Sequence, residues 1–313
     1  MSPLNTPQFM YDPTDVGKRM APRTADFINA GMEHRTPTTS HNDKEKLMLL
    51  IVDAQIDFCY PDGNLYVPGS LDDVRRLISF IYKNLNQITD ITASMDTHYP
   101  YQIFYPTWWK GRDGKNPPPY TMITYADIRN GTWTPLIDPV WSVDYVKKLE
   151  SLAKKNLMIW PYHVMKGTDG NDLVPALYEA ITYHSAARTN QPTFLTKGTV
   201  PQVEHYGIFR AEVEYPKDVN SLLNTQILNK IAAHDLIYVA GEAKSHCVLE
   251  TMKQLVEYFG TYQPDAIKKI RFLMDCTSSV QAPGVDFDTL ANMELDVMVQ
   301  KGIVLVNSTD PIK

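Results

Sequence analysis

The sequence predicts an α/β chain built on a mainly parallel sheet, and three observations carry that reading. Short apolar runs recur, as in Leu47–Asp57 (LMLLIVDAQID), Thr193–Gly198 (TFLTKG) and Leu236–Cys247 (LIYVAGEAKSHC). A run of four to seven apolar residues bounded by turn signals reads as a strand buried on both faces. Stretches with apolar residues at helical spacing separate the runs. Each of these three runs also ends on a reactive group: Asp53, Lys197 and, past a glycine, Cys247. Ligands of open parallel sheets sit beyond the carboxyl ends of the strands. An acid, a lysine and a thiol placed there would share one pocket suited to nucleophilic catalysis.

Taken in order, residues 1–44 are polar, dotted with proline and without sustained periodicity, and read as an arm that wraps or is partly mobile. After the first strand, Ser70 is expected to cap a helix carrying Val74, Leu77, Ile78, Ile81 and Leu85. Ile91–Met95 reads as the second strand. Residues 100 to about 139, the loop-rich part of an insertion at about 100–157, then break the rhythm with Trp108, Trp109, Pro117, Pro118, Pro119 and Trp133, as a functional lid or interface element does. Order resumes with a helix expected near Val143–Ala153, with Val143, Val146, Leu149 and Leu152 inward, and then a short strand at Leu157–Ile159. Helix Asp172–His184, strand 193–197, helix Ser221–Ala233 and strand 236–240 follow. Cys247 is expected to open a helix with Val248, Met252, Leu255, Val256 and Phe259 on one side. Strand Ile270–Met274, helix Asp286–Gln300 and strand Ile303–Val306 complete the pattern. Alternation of this kind implies right-handed crossovers and a sheet covered on both faces.

Bulk properties exclude several classes. The 313 residues are 43% hydrophobic and 21% charged, ordinary for a chain with a substantial core. A net charge of -6 without any Lys/Arg block argues against a nucleic-acid partner. No apolar run approaches the ~20 residues of a membrane span. The start, MSPLNTPQFMYDPTD, has neither the basic nor the apolar region of a secretory signal. Cys59, Cys247 and Cys276 are odd in number and too few for a disulfide framework, so a reducing, cytoplasmic setting is expected.

At the first turn of its helix, Cys247 would meet unpaired backbone N–H groups that favour a thiolate and can receive an oxyanion. A cysteine taken alone is more often structural, and Cys59 and Cys276 are read so. Asp53 at the end of an apolar strand needs a partner, because an unpaired buried carboxylate costs several kcal/mol. Further on, Asp96 and His98 stand two apart, so in extended backbone both address one point. With His163, just past another strand, they form a donor set suited to Zn, Fe or Mn with open positions. A lone D-x-H pair is more often a polar turn. Phe58 and Trp160 are aromatic neighbours of these positions. His184, His205, His234 and His246 are read as structural or solvent-facing.

The segments D-A-Q-I-D-F-C (Asp53–Cys59), K-G at Lys197 and G-E-A-K-S-H-C-V (Gly241–Val248) resemble the three signatures of the isochorismatase-like cysteine hydrolases, with nicotinamidase/pyrazinamidase the nearest branch. The likeness runs over roughly residues 45–310 apart from 100–157. It implies a hydrolase domain at 45–313, three-layered α/β/α, with a six-stranded mainly parallel sheet of Rossmann-like topology. It implies a catalytic triad of Asp53, Lys197 and Cys247, a cis peptide between Glu242 and Ala243, and an oxyanion hole from the N–H groups of Ala243 and Cys247. By the same likeness Asp96, His98 and His163 would hold a divalent metal, and Phe58 and Trp160 would sandwich a flat heteroaromatic ring. The expected substrate is a small amide, nicotinamide first, placing the enzyme in NAD metabolism as an oligomer of one chain with no organic cofactor. Two departures stand out. Glu242 replaces the usual aliphatic residue, and Tyr101, Gln102, Ile103 and Phe104 stand where a further metal-binding histidine often lies. The second departure bears on the metal's identity. Glu242, together with the Trp- and Tyr-rich 100–157 insertion that would reshape or cap the pocket, leaves room for a related cysteine amidase acting on a carbamoyl, ureido or hydrazide substrate. The other alternative is an inactive scaffold with the insertion as its partner or oligomer surface.

Overall fold

The computed structural model describes residues 10–281 and 284–313. In chain order its elements begin with helix α1 (Thr24–Glu33), strand β1 (Leu47–Val52), α2 (Ile56–Cys59), α3 (Ser70–Lys83) and β2 (Ile88–Asp96). The insertion holds β3 (Trp109–Gly111), β4 (Met122–Ile123), α4 (Tyr125–Arg129), β5 (Trp133–Pro135), α5 (Pro139–Ser151) and β6 (Leu157–Met158). The remainder comprises α6 (Pro175–Arg188), β7 (Thr193–Lys197), α7 (Thr225–Ala232), β8 (Leu236–Gly241), α8 (Leu249–Tyr262), β9 (Ile270–Leu273), α9 (Phe287–Lys301) and β10 (Val304–Val306).

Six strands form one sheet in the order β10-β9-β8-β1-β2-β7, and every pairing in it is parallel. The unbroken LMLLIV run of β1 has a direct cause. Leu47, Leu49 and Ile51 face a core shared with α1, α3 and α6, while Met48, Leu50 and Val52 face a second core shared with α7, α8 and α9. A strand with both faces dry needs apolar residues in both phases. The chain order reverses between β1 and β8, so the carboxyl ends of β1, β2, β7 and β8 surround a topological switch point.

Several local expectations give way to tertiary context. Residues 24–33 of the N-terminal segment form a regular helix laid on α6, with Phe27 fully buried and a Cβ at Gly31 only 2.7 Å from the Tyr183 carbonyl. Arg23 at its start pairs with buried Glu179 at 2.9 Å. Ser70 is the first helical residue of α3, not its cap; Gly69, at φ 103°, holds that position, and the Ser70 hydroxyl donates to the Cys59 carbonyl. Strand β2 starts three residues before Ile91, because Thr89 and Asp90 hide their polarity by bonding to Asp43 and His234. Leu157–Met158 is a strand, but it pairs antiparallel with β4 outside the main sheet.

The insertion is a packed subassembly rather than open loop. Ile103, Phe104, Tyr105, Trp108 and Trp109 form a third core with Tyr145, Val146 and Leu149 of α5. Both indoles are satisfied, Trp108 Nε1 donating to Ser142 Oγ at 2.9 Å and Trp109 Nε1 to the Ile103 carbonyl at 2.6 Å. Leu152 lies just past the end of α5 and points to solvent. Among the described residues no helix is long and apolar enough to cross a membrane.

Candidate active site

Three strand ends bring Asp53, Lys197 and Cys247 together. Asp53 follows β1 directly and takes φ 45°, a left-handed conformation uncommon for any residue with a side chain. Such backbone strain persists only where the surroundings over-determine it, and it clusters at functional sites. Lys197 closes β7, opposite Asp96 at the end of β2. Cys247 lies within a π-helical turn, Lys244–Val248, that precedes α8, so it stands before the α-helix and not in its first turn. The approach of β8 to this turn requires glycine at 241. Its φ is 120°, a Cβ there would overlap the Val52 carbonyl, and that carbonyl accepts the Glu242 N–H at 2.7 Å. The Glu242–Ala243 peptide is cis.

Lys197 Nζ is the hub. It lies 3.0 Å from Asp53 Oδ2 and 3.0 Å from Asp96 Oδ1, donates to the His205 carbonyl at 2.8 Å, and is 3.7 Å from Cys247 Sγ. All four side chains are buried. Burial disfavours the ammonium, but Asp53 and Asp96 outweigh it and hold Lys197 above the ordinary lysine range. Burial likewise pushes the Cys247 thiol well up, against the pull of Lys197. The two carboxyls diverge. Burial raises Asp53 despite Lys197 and a 2.6 Å hydrogen bond from Ser94 Oγ, whereas at Asp96 the effect of burial is overcome by His98 and Lys197, which keep it below the usual carboxylate range. Titratable groups pushed apart in this way suit one to carry charge and the other to carry a proton.

Asp96, His98 and His163 offer ligand atoms that all lie within 4.8 Å of one another. Their fit to a divalent ion rests on the tautomers. The His98 Nδ1–H donates to the Gly198 carbonyl at 3.1 Å and the His163 Nδ1–H to the Pro161 carbonyl at 2.7 Å. When neutral, each histidine therefore turns an Nε2 lone pair toward the cluster, as outer hydrogen bonds arrange in metal sites. A protonated His98 instead pairs through Nε2 with Asp96 Oδ2 at 3.0 Å. Gln102 supplies no ligand here, since its amide donates to the same Gly198 carbonyl at 2.6 Å.

The DAQID segment holds this cluster in place, a role that its sequence alone does not reveal. Gln55 accepts from Asp96 N and donates to the Asp96 carbonyl, both at 2.7 Å. Asp57 accepts from Val164 N at 2.6 Å, fixing the residue after His163 at φ 42°. Phe58 and Trp160 line a cavity that also reaches Phe104, Ala243 and Cys247. Three residues that sequence reasoning set aside or did not single out line the same cavity: Glu204, His205 and His246. His184 and His234 instead bond the Ile88 carbonyl and Asp90 away from it. Glu242, the acid expected near the oxyanion loop, turns toward Asp73 and accepts from Ser278 N at 3.2 Å; burial and Asp73 raise it well above the glutamate range. Cys59 and Cys276 are buried.

No family model matches the chain, nor does any curated protein. Solved structures do. A yeast nicotinamidase matches with a TM-score of 0.56 at 19% identity over 83% of this chain and 99% of its own, and its complex with the inhibitor nicotinaldehyde matches equally. An Acinetobacter baumanii nicotinamidase/pyrazinamidase matches with a TM-score of 0.54 at 20% identity over 86% and 99%. An L. infantum protein in complex with nicotinate reaches 0.50 at 17% over 88% and 97%. The six-stranded parallel sheet, its two helical layers and these matches together show that the chain shares the α/β fold of these nicotinamidases.

Proposed function

We propose that this chain is a cysteine-dependent amidohydrolase that releases ammonia from a small planar carboxamide, nicotinamide foremost. One observation carries the reading: a thiol in the wall of an aromatic cavity lies against a buried lysine, which pairs in turn with a carboxyl of raised pKa. Asp53 takes the Cys247 proton, and Lys197 stabilises the thiolate and then the ionised intermediates. The sulfur attacks the amide carbon, and the N–H groups of Ala243 and Cys247 receive the oxyanion. Asp53 returns its proton to the leaving nitrogen as the C–N bond breaks, leaving a thioester and ammonia. Water, deprotonated by Asp53, cleaves the thioester and regenerates the thiol. Asp96, His98 and His163 would hold a divalent ion, Zn, Fe or Mn, which supplies a Lewis-acid anchor for a substrate ring nitrogen. Phe58 and Trp160 would hold the two faces of the ring.

Nicotinaldehyde in the yeast protein and nicotinate in the L. infantum protein support a pyridine-sized occupant. The ureido alternative loses one of its two supports, because Glu242 points away from the cavity toward Asp73. The test is ammonia release from nicotinamide, pyrazinamide and small ureido amides, with and without chelator. Nicotinamide turnover that disappears in Cys247→Ala is expected. Appreciable release by that variant, or none by the wild type from any of these amides, would overturn the proposal.

A further inference from the structure

The segment after Gly198 brings two consecutive polar residues, Glu204 and His205, to the cavity wall, with only 3% and 8% of their surface exposed. Glu204 Oε1 accepts the Trp160 indole N–H at 2.7 Å and the Tyr206 hydroxyl also bonds the Glu204 carboxyl, while Oε2 is left without a close hydrogen-bond partner among the described residues. Both ring nitrogens of His205 are unpartnered as well. Buried polar atoms are nearly always hydrogen-bonded, so three unpartnered atoms beside one cavity mark a place for a ligand's polar group. The position is built rather than incidental. Glu204 N–H donates to the Tyr145 hydroxyl at 2.8 Å, and the His205 carbonyl holds Lys197 Nζ.

An unsubstituted nicotinamide does not need this feature. Its amide is used at Cys247 and its ring nitrogen at the metal cluster, and a carboxylate oxygen only accepts hydrogen bonds. Resting on the amidohydrolase reading, we propose that the substrate is a heteroaromatic carboxamide bearing a hydrogen-bond donor, an amino or ring N–H group, which Glu204 Oε2 accepts with His205 as its neighbouring polar contact. Glu204 is then the residue that sets specificity. Burial raises its pKa to about 7, so it is charged in an assay at about pH 8.5.

The test compares kcat/KM for nicotinamide, its ring-amino isomers and the matching methyl isomers, in wild type and in Glu204→Gln. The variant keeps an oxygen for Trp160 and turns the free acceptor into a donor. In the wild type one amino isomer should exceed both nicotinamide and its methyl counterpart by about tenfold or more, mainly through KM. The advantage should fall to within about threefold in the variant. Should Glu204→Gln not fold, the amino-against-methyl comparison in the wild type decides by itself. Turnover of nicotinamide with no amino isomer preferred, or a preference undiminished in the variant, overturns this inference and leaves the amidohydrolase reading standing. No ammonia from any carboxamide overturns both.

Discussion

Asp53 combines a left-handed backbone, full burial and a lysine 3.0 Å away, a setting that suits the proposed base, which must hold and release a proton. Asp53→Asn keeps the shape and the Ser94 contact but cannot take the thiol proton. It should lower kcat by about 10²–10⁴ with little change in KM, read by ammonia release; unchanged kcat would remove Asp53 from the chemistry. Lys197→Met strands two buried carboxylates and should cost about 3–5 kcal/mol of stability, visible as a lower urea midpoint; a variant as stable as wild type would contradict the hub assignment. These residues were legible in the sequence because each interrupts or ends an apolar run; each alone has an ordinary structural explanation, and it is their recurrence at strand ends of one α/β chain that pointed to a site. Glu204 and His205 were not. They sit in an aperiodic stretch, and only the fold carries that stretch beneath Trp160. Gln55 was hidden differently, since its amide bonds the backbone of Asp96, a partner 41 residues distant.

At the scale of elements, the turns after β7 and β8 depend on glycine. Gly198 has φ 76°, and a Cβ there would overlap Asp96 Oδ1 and lie 2.7 Å from His98 Cε1. Gly198→Ala should therefore weaken zinc binding about tenfold or more in a calorimetric titration, while an unchanged affinity would separate this turn from the metal cluster. The sheet strands were readable because two dry faces impose continuous apolar runs. Strand β6 was readable as a strand yet not as an outsider, because two residues of extended chain look alike in either sheet. The insertion's core escaped notice for a related reason. Its aromatic residues are spaced by prolines and tight turns, and they converge only in three dimensions.

For the whole molecule, buried histidines couple stability to acidity. His184 donates to the Ile88 carbonyl at 3.0 Å, and burial lowers its pKa from 6.5 to about 4. Above pH 6.5 neither the folded nor the unfolded chain protonates it. As pH falls from 6.5 toward 4, the unfolded chain gains the proton and the folded one does not, so stability drops across that window and levels off below it. Urea midpoints should follow this course, with a shallower fall in His184→Gln; equal slopes would contradict it. The triad is the claim on which the functional account stands, and intact-mass and peptide-mass spectrometry of enzyme acid-quenched during nicotinamide turnover tests it most directly. The account predicts a mass gain of one nicotinoyl group on the peptide containing Cys247. Turnover with that acyl group on another residue would contradict it.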